Sequence, residues 1–122
     1  MSPAQSTALR IASVLWLIWG LVHAFAGVMV IASDPAGGFG AILDAMDRAS
    51  FDMAWPEGAG GVLNQHGWNL LWGGAITVLC SVLIWRRNRT AIWVAAMIGG
   101  LLDLGYFMTG GQRAHCSELP LG

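Results

Sequence analysis

Charge is scarce in this sequence: Asp, Glu, Lys and Arg make up 11% of its 122 residues, against about 25% in an average soluble domain. So few charges cannot cover the surface of a soluble core, which argues against a soluble globular protein. The net charge of −1 supplies no basic field, and no nucleic-acid partner is expected. Cysteine is equally sparse. Cys80 lies in an apolar stretch and Cys116 in a polar tail, so a disulfide scaffold is excluded, and no Cys-x-x-Cys pair is present. His23, His66 and His115 are scattered rather than set at metal-ligand spacing, and no glycine-rich phosphate loop occurs. Neither a metal site nor a cofactor is expected. A haem held between His23 and His66 is disfavoured, because their expected depths differ by about 12 Å.

What is abundant points to a membrane. Hydrophobic residues reach 56%, with seven Trp and seventeen Gly. Trp favours the bilayer interface, and Gly is commoner in membrane helices than in soluble ones. The length suits one domain covering residues 1–122. Three apolar runs stand out, Ile11 to Ala32, Val62 to Trp85 and Ala91 to Met108. The first would extend about 33 Å as a helix, enough to cross a core of about 30 Å. Val30-Ile31-Ala32 ends in a small residue, as a signal-peptide cleavage site does. The run exceeds the 7–15 residues usual for such a leader, so a retained span is expected. The third run is short and would cross with little tilt.

The arginines set an expected direction. Arg10 precedes the first run, and Arg86, Arg87 and Arg89 fill the connection between the second and third. The positive-inside rule then places both in the cytoplasm and the C-terminus outside, in what would be a bacterial inner membrane. The connection of residues 33–61 would lie outside, with Asp34, Asp44, Asp47, Asp52 and Glu57 against Arg48. Within it Phe39, Ile42, Leu43 and Met46 follow helical spacing, with Asp44, Asp47 and Arg48 opposite, which predicts a short amphipathic helix from about Phe39 to Phe51 lying on the outer surface. Asp34-Pro35 and Gly37-Gly38 read as interruptions before it, and Pro56 with Gly58, Gly60 and Gly61 after it. The expected fold is all-α: an integral membrane bundle of three transmembrane helices plus one interfacial helix, followed by a polar tail of residues 109–122.

Several polar residues fall where a bilayer tolerates them poorly. Counting from the middle of each run, His23 and Asp103 come at nearly the same level, about 3 and 4.5 Å to the outer side. Asn69 and His66 lie about 10 and 15 Å outward, and Gln65 and Tyr106 share that outer half. A lone Asp near a helix centre costs about 2.5–3.5 kcal/mol on insertion scales, so a partner is expected, and His23 is the obvious one. Gln65, Asn69 and Trp72 form one stripe on the second run. Gly99, Asp103 and Tyr106 form one on the third, and Trp16, Gly20, His23 and Gly27 one on the first. If the stripes face inward, His23, Gln65, His66, Asn69, Trp72, Asp103 and Tyr106 line an outward-opening polar pocket. The competing reading is purely structural, since such contacts often only hold helices together, at about 0.6 kcal/mol each. Gly20 with Ala24, Gly73 with Thr77, and Ala96 with Gly100 are each four apart and predict close helix approach.

Three segments resemble a group of small bacterial inner-membrane helical-bundle proteins of unknown function. These are His66-Gly67-Trp68-Asn69-Leu70-Leu71-Trp72, Trp85-Arg86-Arg87-Asn88-Arg89-Thr90-Ala91-Ile92-Trp93 and Gly99-Gly100-Leu101-Leu102-Asp103-Leu104-Gly105-Tyr106-Phe107. The resemblance covers mainly residues 62–107 and implies a membrane bundle, but no activity. It also implies a fourth apolar segment, where this sequence has the polar Gln112-Arg113-Ala114-His115-Cys116-Ser117-Glu118. A partner membrane protein or a second copy is expected to complete the bundle, with lipid around it.

The function expected is non-enzymatic: an accessory subunit, or a binder of an apolar or amphipathic molecule in the outward pocket. Two alternatives stay open. One is a proton-coupled transporter or channel built from several copies. The other is a membrane enzyme acting on a lipid or isoprenoid, with His23 and Asp103 as acid and base.

Overall fold

A computed structural model of the chain describes residues 2–43 and 47–108. Asp44, Met46, Gly110, Gly111, His115, Cys116 and the rest of the polar tail lie outside the described residues. Among the described residues four α-helices follow in order: α1 (Pro3–Ala32), α2 (Pro35–Ile42), α3 (Ala59–Trp85) and α4 (Arg89–Tyr106), with a 3-10 turn at Arg48–Phe51 before α3. No strand occurs among the described residues.

Local chemistry sets the helix ends. Ser2 and Gln5 form a capping box, Ser2 N donating to Gln5 Oε1 at 2.8 Å and Gln5 N to Ser2 Oγ at 3.3 Å, with Pro3 in the first turn. That cap starts α1 eight residues before the apolar run. Asp34 caps α2 by accepting from Gly37 N at 2.8 Å, with Pro35 next. The Asp-Pro pair read as an interruption is therefore a start signal, and Gly37 and Gly38 lie inside the helix. α2 ends at Ile42, where Leu43 leaves helical dihedrals, so one continuous helix over residues 39–51 is not formed. At the end of α3, Arg87 N donates to Ile84 O and Asn88 N to Leu83 O, the paired bonds of a Schellman turn. Asn88 then caps α4 by accepting from Ala91 N at 3.2 Å.

Among the described residues two helices, α1 and α3, are long and apolar enough to cross a membrane. α4, the third expected span, does not join them. It has eighteen residues, about 27 Å of helix, and its length includes both Arg89 and Asp103.

α1 and α3 run antiparallel in close contact, and glycine is the reason. A Cβ on Gly27 would stand 2.5 Å from Gly67 O and 2.6 Å from Leu71 N. One on Gly74 would stand 2.5 Å from Gly20 O and from Ala24 N. Backbones this close gain dispersion contact along their whole length, the usual means of holding apolar helices together in lipid. At the other end Ser13 Oγ donates to Ser81 O at 2.6 Å, both residues buried. α4 leans on α3, with Leu102 and Ile98 over Gly73, and barely meets α1. One of its few contacts with α1 is the Trp16 ring lying over Gly99, which leaves no room for a Cβ there. Ala96 and Gly100 face outward instead, so that expected small-residue pair packs against no other helix.

The connection between α1 and α3 folds back over the bundle. Gly38 is buried beside Leu63 and Val30. Phe39 stacks on Trp55 and Phe51, at centroid distances of 4.5 and 5.8 Å, and Trp55 Nε1 donates to Phe51 O. At the opposite end Arg10 lies 5.5 Å over the Trp85 ring, and Arg87 donates to Ser6 Oγ at 3.4 Å. Arg10, Arg86, Arg87 and Arg89 thus gather at one end, and α2 with its aromatic stack covers the other.

Candidate functional site

Because α4 follows α3 rather than α1, a gap opens between α1 and α4 at the end covered by α2. The gap is a half-open cavity of about 720 Å³. Val22, Ala26, Ala41, Ile42, Leu70, Leu101 and Leu102 make its walls mainly apolar, and α2 contributes Ala41 and Ile42 as a roof. Four polar side chains reach it: His23 from α1, His66 from α3, and Asp103 and Tyr106 from α4.

Two of the four, His23 and Asp103, meet across the gap. His23 Nε2 stands 3.7 Å from Asp103 Oδ1. Asp103 Oδ2 accepts from Trp19 Nε1 at 3.0 Å. Trp19 also stacks on the His23 imidazole, centroid to centroid 3.6 Å at 20°. Its own backbone carbonyl lies 2.9 Å from His23 Nδ1. A carbonyl oxygen only accepts, so Nδ1 carries the proton. In the neutral ring, Nε2 is then the atom with the lone pair, and it faces a carboxylate oxygen. Trp19 therefore orients both partners, holding the ring by stacking and by its carbonyl, and the carboxylate by its indole N–H.

The sequence stripe on the second run turns out differently. Gln65 is exposed, and neither it, Asn69 nor Trp72 lines the cavity. Trp72 Nε1 donates instead to Asn69 Oδ1 at 3.1 Å, along the outside of the same helix. The face of α3 toward the cavity carries His66 and Leu70, one position further along. A one-residue slip rotates a helical face by about 100°, enough to turn a lining stripe outward. Of the seven residues expected at the pocket, His23, His66, Asp103 and Tyr106 come together, and Gln65, Asn69 and Trp72 do not.

Trp19 was absent from the expected set, although its spacing carried a signal. It precedes His23 by one turn, the separation at which two helical side chains meet. The apolar walls carried none, since Val22, Ala26 and Leu101 look like any other residue of an apolar run. Among the described residues no group of His, Cys, Asp and Glu is placed to hold a metal ion. No family model matches this chain, and no curated protein or solved structure matches it either.

Proposed function

We propose that this chain is a small integral membrane protein that holds an apolar or amphipathic molecule in the cavity between α1 and α4. The observation that carries the reading is the composition of that one cavity: apolar walls from all four helices, interrupted by four polar side chains of which His23 and Asp103 meet. An amphiphile matches such a surface, since its chain covers the walls and its head meets the polar atoms. In this reading α1, α3 and α4 all cross the bilayer, with the arginine end in the cytoplasm and α2 on the outer surface. The large apolar side chains exposed along α1 and α4, among them Leu15, Phe25, Trp93 and Met97, then face lipid or a further helix.

Mass spectrometry of the protein released from mild detergent tests the reading. A stoichiometric lipid-like molecule that accompanies the wild type and is lost from Ala26→Phe, which fills the cavity from α1, is the expected result. Equal retention by the folded variant would place the molecule elsewhere on the surface and overturn the reading.

A further inference from the structure

Resting on that reading of the cavity, we infer that its occupant is an amphiphile with a primary or secondary ammonium head, seated between His23 and Asp103. Three features of the site select this head group over an anionic or neutral one.

The first is charge. The described lining contains one carboxyl, Asp103, and no guanidinium or ammonium. An anionic head would meet no fixed positive charge there, whereas a cationic one finds a direct counter-ion. Arg10, Arg86, Arg87 and Arg89 are gathered at the other end of the bundle.

The second is the proton inventory. Trp19 O accepts from His23 Nδ1, so the neutral ring presents its Nε2 lone pair as an acceptor. Asp103 Oδ1 is a second acceptor 3.7 Å away, beyond hydrogen-bond distance. One nitrogen placed about 2.9 Å from each can donate to both. An ammonium with two N–H groups fills that role completely. A hydroxyl has a single proton and leaves one acceptor unmet, and a carboxylate head has none.

The third is exposure at depth. Protein leaves 59% of the Asp103 side chain uncovered, while His23 is 23% exposed. In the proposed orientation this carboxyl sits within the span of α4, where an uncompensated charge is costly. Trp19 satisfies one of its oxygens, and the other faces the cavity. A cationic head there offsets the cost, and the walls formed by Val22, Leu101 and Leu102 receive the chain.

Three probes of equal chain length separate the possibilities: radiolabelled dodecylamine, dodecanol and dodecanoate, each at the same mole fraction of detergent. The expected result is saturable binding of the amine to the wild type, at least about tenfold tighter than either of the others. Asp103→Asn keeps the shape and removes the charge, and should erase the amine's advantage. Circular dichroism confirms that the variant is folded, and Ala26→Phe should lose the amine altogether. Binding of dodecanol or dodecanoate as tight as that of the amine overturns the head-group assignment and leaves the cavity reading standing. So does an amine preference unchanged in Asp103→Asn. If no probe binds saturably to the wild type, the cavity reading falls and this inference with it.

Discussion

The Trp19 indole N–H donates to Asp103 Oδ2 at 3.0 Å, and this bond joins α1 to α4, two helices that otherwise barely meet. Its importance follows from where it sits. α4 is held along one side by α3, and on its other side the Trp16–Gly99 contact and the Trp19–His23–Asp103 cluster oppose its swinging away from α1.

Trp19→Phe removes the indole N–H and keeps an aromatic ring over His23. The variant should lose about 0.6–1.7 kcal/mol, the range found for hydrogen bonds between membrane helices. Unfolding in mixed micelles, followed by circular dichroism, measures it. A double-mutant cycle with Asp103→Ala should show that most of this loss disappears once the acceptor is gone. Strict additivity would mean the bond contributes nothing.

The glycines divide into two groups with opposite expectations. Gly27→Ala forces a methyl to within 2.5 Å of Gly67 O, so α1 and α3 must separate, and a loss of about 1–3 kcal/mol follows. Gly100→Ala meets nothing within 4 Å and should be neutral or stabilising by up to about 1 kcal/mol. Melting temperatures of the two variants in the same detergent give the comparison.

Arg87 has φ 65° at the Schellman turn after α3, a left-handed conformation that glycine adopts without strain. Arg87→Gly should therefore raise stability by roughly 0.5–1 kcal/mol. The long, exposed bond from Arg87 to Ser6 Oγ offers little to lose. A fall in melting temperature would show that this contact outweighs the backbone strain.

The proposed orientation is tested by chemical access. In a Cys80→Ala, Cys116→Ala background, a membrane-impermeant maleimide applied to intact cells should label Asp52→Cys and spare Arg86→Cys. Both positions are exposed, so access reports the side of the membrane rather than burial. The reverse pattern would invert the topology.

Helix existence was readable from residue order because it depends on local chemistry. Apolar run length and the arginines after Trp85 mark three long helices, missing the first eight residues of α1 and falling within a few residues of α3 and α4. The level of His23 with Asp103 was readable too, since axial rise per residue is nearly constant in any helix. Facing was not. On α3 the polar stripe of Gln65, Asn69 and Trp72 and the small-residue stripe of Gly67 and Gly74 compete for the interior, and backbone proximity to Gly27 and Gly20 decides for the glycines. Asn69 and Trp72 then satisfy each other along the outer face.

Residue order by itself thus determined an all-α chain, the approximate positions of its long helices and the shared axial level of His23 and Asp103, each following from the geometry of one helix at a time. Tertiary structure alone decided that α4 packs on α3 and stands off from α1, because Gly73 admits Leu102 while Trp16 occupies the space at Gly99. That asymmetry opens the cavity and leaves Trp19 to hold His23 and Asp103 at its edge. It depends on which surfaces of three helices fit together, and no single helix carries that information.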